Sequence, residues 1–571
     1  MKVVLAAINA KYIHSNLAVH CLYSYSKEEF GQDIEIAEYT INQQIDYIIK
    51  DLYMKKPDVA AFSCYIWNRD YIEKIVRELH KVLPDTLIWA GGPEASYDAV
   101  NMMNSVKELQ GIMVGEGEVT FNALLHMWKY GQGSFKDIKG IVYRSNSGNN
   151  AGNPTIEVNP PAEPVNLSDV PFPYENTDDF KNRIIYYESS RGCPFSCSYC
   201  LSSIDKKLRF RDIELVKKEL KFFMDNRVKQ VKFVDRTFNC SKNHAMEIWR
   251  FINDNDNGVT NFHFEISADL LDDEEIELFK GFRPGLVQFE IGVQSVNPKT
   301  IKEIHRHMNL ERLSEVVKRI QSYGNIHQHL DLIAGLPYED YDSFKKSFND
   351  VYNMVPDQLQ LGFLKVLNGS YMHENHKEYG MVYHSEPPYE ILYNRWISYD
   401  DVLKLKTIEE MVEVYYNSGQ FKYTMEYMVR YFNSPFEMYE ILGKYYEDNG
   451  LFGEKQSRLK RYEILYDFAR HRNNINSDEL KALLMYDLYL RENLKSRPAF
   501  RREQPAPPDK LKEFNRKYRG LGRNIHVESF KYNPVELALY GTSKKGMYFI
   551  RFDYTKRNAL DNNASATMEE A

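Results

Sequence analysis

Cysteine is scarce in this chain, with six residues in 571. So few thiols, three of them in one loop, cannot build a disulfide framework, and a reducing compartment is expected. Long apolar runs are also missing: none approaches the roughly 20 residues that cross a bilayer. The opening MKVVLAAINAKYIHSN has a short apolar run that Asn9 and Lys11 interrupt, so it reads as a first strand and not as a signal sequence. A soluble, cytoplasmic protein is the expectation. Nor is there a basic excess. The formal net charge is -8, the opposite of the footprint of a general nucleic-acid binder, so neither nucleic acid nor membrane is expected as a partner. The dinucleotide fingerprint G-x-G-x-x-G is absent as well.

Three of the six cysteines stand together in RGCPFSCSYC, Arg191 to Cys200, where Cys193, Cys197 and Cys200 are spaced C-x3-C-x2-C. Thiolates at that spacing let one loop wrap a 4Fe-4S cubane and hold three of its irons, which leaves the fourth open to a ligand. A structural zinc site would instead close its coordination with four protein ligands. The next thiol along the chain, Cys240, reads as a small buried hydrophobe or a helix-start residue.

In chain order, KVVLAAIN, IEIAEYTI, DVAAFSC, TLIWAGG and GIMVGEGE alternate with helical stretches such as Leu17 to Phe30 and Ile45 to Lys55. That rhythm predicts an α/β domain over residues 1–145, built on a parallel, doubly wound sheet whose ligand lies over the strands' carboxyl ends. Small and polar residues gather there: Asn9 and Lys11, Ser63, Gly91, Gly92, Pro93 and Glu94, then Gly115 and Glu116 of GEGE. Glycines at such ends let a ligand approach the backbone, although each pair alone is equally an ordinary turn. Residues 146–181, rich in Asn, Gly, Ser and Pro, read as a connector.

Over residues 182–371, six strand-like segments, each but the last followed by a helix, predict a partial (β/α)6 barrel with its chemistry at the strands' carboxyl ends. Polar residues occupy those ends: Asp235 in FVDRTFN, Glu265 in FEIS, Gln294 in GVQS and Asp331 in DLIAGLP, with Arg306 following in IHRH. Carboxylates accept from ribose hydroxyls and Arg pairs with a carboxylate, while any one of these alone reads as a rim residue. Residues 372–558 read as a mostly helical domain and residues 559–571 as a disordered tail. Lys495 to Arg523 holds ten Lys or Arg against three Asp or Glu and reads as a solvated connector in preference to an RNA contact.

The cysteine triplet, with the aromatic Tyr199 before its third member, resembles the signature of the radical S-adenosylmethionine enzymes. The resemblance implies that the open iron chelates S-adenosylmethionine. It also implies that one electron from the reduced cluster cleaves the sulfonium to a 5'-deoxyadenosyl radical, with Tyr199 among the cofactor contacts. Glu265, Gln294, Arg306 twelve residues later and Asp331 match the residues that surround S-adenosylmethionine in the coproporphyrinogen-dehydrogenase branch. Strand two departs from the GGE or GGT of that branch and leaves Asp235, with Thr237, as its candidates.

IWAGGPEAS followed by VGEGE resembles the Rossmann-like cobalamin-binding domain that precedes many such barrels. The D-x-H-x-x-G motif that supplies a lower histidine is missing, so the resemblance implies cobalamin held base-off, without a protein His on cobalt. The expected reaction is C-methylation of an unreactive carbon. Cobalamin-assisted cyclisation or rearrangement comes next, and a non-catalytic corrinoid or metal sensor is the alternative of another class. A one-electron donor such as flavodoxin or ferredoxin is the implied partner, with a small molecule or peptide as substrate.

Overall fold

The computed structural model describes residues 1–145, 154–472, 474–494, 496–501, 505–518 and 524–569. The chain forms two compact units. One comprises Met1–Glu290, Ile301–Asn309 and Phe363–Arg395; the other comprises Ile291–Thr300, Leu310–Gly362 and Trp396–Ala571. Among the described residues no helix is long and apolar enough to cross a membrane.

The first unit begins with a sheet of β1 (Val3–Asn9), β2 (Ile34–Thr40), β3 (Val59–Ser63), β4 (Leu87–Gly91), β5 (Gly111–Met113), β6 (Ile141–Ser145) and β7 (Thr155–Val158). The spatial order is β2-β1-β3-β4-β5-β6-β7, parallel through β5 and antiparallel thereafter. Every residue of β1 and β3 is buried, because helices cover both faces and such strands must be apolar throughout. Alternate side chains feed opposite layers: Val4, Ala6 and Ile8 join Ile72 and Ile75, whereas Val3, Leu5 and Ala7 join Phe121 and Leu124. With β1 lying between β2 and β3, the strand order reverses there, and a crevice forms over the carboxyl ends. Residues 155–158, which the sequence assigns to the connector, instead add the seventh strand; residues 146–153 of that connector lie outside the described residues.

The barrel strands follow. β8 (Ile185–Tyr187) leads through the short antiparallel pair β9 (Ser190–Arg191) and β10 (Arg209–Phe210) to β11 (Gln230–Phe233), β12 (Asn261–Ile266), β13 (Val287–Gln294), β14 (His327–Ala334) and β15 (Gln358–Phe363). β8, β11 and β12 are parallel neighbours, with Lys232 opposite both Tyr186 and His263. Burial alternates strictly along β13, its buried set of Val287, Phe289, Ile291 and Val293 being the apolar half of VQFEIGVQ. The helix Leu310–Tyr323 buries Leu313, Val316, Val317 and Ile320.

The second unit ends in helices that include Tyr399–Val412, Pro435–Asp448 and Ser477–Arg491, followed by a three-stranded antiparallel sheet of β18 (Ile525–Phe530), β19 (Tyr548–Arg557) and β20 (Ala564–Glu569). The short pair β16 (Val382–Tyr383) and β17 (Ile391–Tyr393) belongs to the first unit. The terminal ASATME, expected to be disordered, is thus a paired edge strand: Ile550 sits opposite Met568, and backbone pairing does not require apolar side chains on both faces. Part of the basic stretch 495–523 lies outside the described residues, while Pro508–Lys517 within it is a helix.

Candidate functional site

The cluster loop is fixed at its start by a buried carboxylate. Asp235 is fully buried and accepts from the Ser189 N–H (3.0 Å), Ser189 Oγ (2.6 Å) and Ser190 Oγ (2.6 Å). Burial pushes its carboxyl up to about 6. With its own proton directed at Asp235, Ser189 Oγ accepts from Nε2–H of His244 at 2.9 Å, which specifies the neutral tautomer; burial lowers that imidazole to about 4. Both oxygens of Asp235 are therefore spent on the chain before the cysteines, so this residue, taken from the sequence as a cofactor contact, holds the loop. Gly192 follows with φ +96, and a Cβ there would meet the Lys207 carbonyl oxygen at 2.6 Å, so only glycine fits.

Cys193 and Cys197 are buried and Cys200 is half-buried. Burial raises the Cys193 thiol, partly offset by hydrogen bonds from the Phe195 backbone and Thr237, and the charges of Cys200 and Cys197 raise it further. Three crowded thiolates of this kind repel one another unless cationic metal lies among them, which is the donor chemistry of an iron-sulfur cluster. Among the described residues no three His, Cys, Asp or Glu side chains close on a single ion. A cubane does not ask for that, since each thiolate takes its own iron.

Two expected neighbours are brought to these thiols. Arg306 Nη1 lies 3.9 Å from Cys197 Sγ and 3.4 Å from the Tyr199 hydroxyl, and Thr237 Oγ1 lies 3.9 Å from Cys193 Sγ. The loop is also tied by its backbone, Ser198 N–H donating to Ile304 and Met372 N–H to Ser198. Glu265 stands half-buried at the end of β12.

In the second unit, Gln294 ends β13 at φ +70, a conformation that costs a non-glycine residue about 1–3 kcal/mol. Its Oε1 is buried without a hydrogen-bond partner among the described residues. Asp331 Oδ1 lies 3.1 Å from His329 Nε2 on β14. Between these motifs sits Glu339, unforeseen from the sequence: its Oε1 accepts from Ser295 Oγ and Ser347 Oγ, each at 2.7 Å, stapling the GVQS loop to the GLPYE turn. Its own signal was the carboxylate that ends GLPYE.

The strand ends of the first sheet divide in two. Asn9 donates to His14 O and Glu38, Ser63 Oγ accepts from Asn16, Glu94 accepts from Arg69 and the Tyr389 hydroxyl, and Glu116 accepts from the Val165 N–H. These four expected cofactor contacts are engaged with protein. Gly92 has φ +100 and its Cβ would meet the Cys64 carbonyl oxygen at 2.5 Å, so strand packing demands this glycine; Gly91 ends β4 before it, and Pro93 opens the short helix Pro93–Ser96. Lys11 is exposed, and Gly115, with φ +83, has open space where a side chain would stand. A cavity of about 390 Å³, lined by Tyr97, Asp98, Asn101, Val114, Val142 and Asn159, adjoins this edge of the sheet. Of the expected contacts at these strand ends, Lys11 and Gly115 are the ones left open to a ligand. The His14 ring is occupied, Nδ1 lying 2.6 Å from the Tyr186 hydroxyl.

Residues 187–351 match the Radical SAM superfamily, residues 3–125 the B12 binding domain, and residues 377–562 a family described as a protein of unknown function, DUF4080. The 2-(S-pantetheinyl)-carbapenam-3-carboxylate methyltransferase of Streptantibioticus cattleyicolor is 26% identical over 306 residues, which are 51% of this chain and 44% of that protein. An uncharacterized methyltransferase of Pyrococcus horikoshii is 24% identical over 335 residues, 57% of this chain and 70% of that one. The match thus spans less than half the length of the first of these relatives. The cobalamin-dependent S-adenosylmethionine radical enzyme OxsB, solved with aqua-cobalamin and S-adenosylmethionine bound, shares the fold with a TM-score of 0.57 at 16% identity, over 85% of this chain and 78% of its own.

Proposed function

We propose, for a chain that belongs to the cobalamin-dependent radical S-adenosylmethionine enzymes, the transfer of a methyl group to an unreactive carbon of a small molecule or peptide. The observation that carries this reading is the three-thiol loop with Arg306 and Tyr199 against it, in the same compact unit as a doubly wound sheet that opens at Gly115. When bound, the cluster supplies the electron that cleaves S-adenosylmethionine, and a base-off corrinoid supplies methyl transfer; the protein orients both and excludes water.

The chain's own groups have defined tasks. Cys193, Cys197 and Cys200 would hold three irons of the cluster. Arg306 places its guanidinium beside Cys197, where a cation offsets thiolate charge and pairs with a carboxylate. Gln294 and Glu265 present polar groups at the ends of their strands, and Asp331 does so from within β14. A flavodoxin- or ferredoxin-type donor in the cytoplasm completes the reading.

Anaerobic reconstitution of the full chain with iron, sulfide and hydroxocobalamin tests it. About four irons per chain, a bound corrinoid spectrum and 5'-deoxyadenosine formed from S-adenosylmethionine are expected. Deoxyadenosine without bound corrinoid would discard the cobalamin half, and a cysteine-bound zinc would discard the whole.

A further inference from the structure

Two motifs that the sequence offers to two different cofactors are joined by an ionic lattice inside the first unit. Arg191, the arginine of RGCPFSCSYC, places Nη2 2.8 Å from Glu118 and 2.7 Å from Glu188, and Nη1 3.2 Å from Glu116. Arg209 also pairs with Glu116, and with Asp205 at 2.9 Å. The two arginines are register partners across the β9–β10 pair, so both side chains rise from one rigid platform toward the GEGE loop. Burial works against the Arg191 charge, but Glu188 and Glu118 more than offset it and hold the guanidinium above its ordinary value. Burial likewise pushes Glu116 up, and Arg209 with Arg191 reverses this, so its carboxyl titrates below the usual range.

From this geometry we infer that Glu116 and Glu118 are positioning residues that couple the corrinoid loop to the cluster loop. The inference rests on the cobalamin-dependent reading above. Gly115, the residue with open space before it, immediately precedes Glu116, and Arg191 is two residues from Cys193. A corrinoid that settles on Gly115 therefore biases the carboxylates that hold Arg191, and a cluster that tightens Cys193 biases the same arginine from the other side. Coupling of this kind is reciprocal, so occupancy of one site changes the affinity of the other by the same factor. The pairs are half-buried or better, which limits their screening by salt.

The test measures hydroxocobalamin affinity by absorbance in the full-length protein, with and without the reconstituted cluster, for wild type, Glu118→Gln, Glu116→Gln and Glu118→Asp. In wild type the cluster is expected to change the affinity by about fivefold or more. The two glutamine variants shrink that factor to within about twofold while circular dichroism stays native, and Glu118→Asp, which keeps the charge, restores most of it. Glu78→Gln, an equal charge change at an exposed site on the helix Arg69–Val82, leaves the factor at its wild-type size. A factor of one in wild type, or an undiminished factor in both glutamine variants, overturns the coupling. Absence of corrinoid binding in every form overturns the reading beneath it instead. A purely structural role for the glutamates would move melting temperature but leave the factor intact, and it too would overturn the proposal.

Discussion

Glu339 gives the sharpest prediction. It is fully buried, and burial, with Asp340 nearby, pushes its carboxyl from 4.5 up to about 7 against the two serine hydroxyls that favour the charged form. Because the folded state then binds a proton that the unfolded state has released, the group's favourable contribution is complete below about pH 4.5. It is lost as pH rises toward 7. A displacement of this size corresponds to about 3 kcal/mol. Glu339→Gln keeps an acceptor for Ser295 and Ser347 and cannot ionise. The variant and wild type should lie within about 1 kcal/mol of each other at pH 5, and the variant should be more stable at pH 8 by up to about 3 kcal/mol. Asp235 and Asp487, also pushed up by burial, titrate in the same window, so the difference between the two proteins is the quantity to read. Thermal unfolding from pH 5 to 8, with hydrogen exchange at residues 295–297 as the local probe, supplies it. Parallel pH profiles would refute the argument. Glu339→Ala should lose about 2–4 kcal/mol even at pH 5, since two buried hydroxyls lose their acceptor.

Gly192→Ala should fold yet retain less than half the iron after reconstitution, measured by metal analysis, because its Cβ meets the Lys207 carbonyl beside Cys193. Asp235→Ala should lower melting temperature by several degrees and broaden the reduced cluster's paramagnetic spectrum, whereas Asp235→Asn should keep part of both, having an acceptor for the serine hydroxyls. Arg306→Lys should cut deoxyadenosine formation at least tenfold with cluster content preserved, since a lysine keeps a charge beside Cys197 and Tyr199 but lacks the planar guanidinium that pairs with a carboxylate through two nitrogens. Tyr389→Phe should cost about 1–3 kcal/mol, read by thermal unfolding of the first unit, through the hydroxyl bonded to Glu94 and Arg69.

Five strands of the first sheet and the succession of barrel strands were legible because each is a short apolar or alternating run bounded by turn residues. The cysteine triplet was legible because ligand spacing is local. What escaped was whatever depends on partners far along the chain. Asp235 looked like a ligand contact until Ser189 and Ser190, some 45 residues earlier, took its oxygens. Glu116 looked the same until Arg209, 93 residues later, claimed it. β7 and β20 were missed for another reason: TIEV follows an Asn- and Gly-rich stretch, ASATME is small and polar, and both earn their place through backbone pairing with a neighbour.

The bond between Tyr389 and Glu94 spans 295 residues. On a ribosome adding about 5–20 residues per second, Glu94 and Arg69 wait roughly 15–60 s before their tyrosine is made. Throughout that interval Glu94 lacks one of its two donors, so the α/β domain reaches its final form only after the barrel has been synthesised.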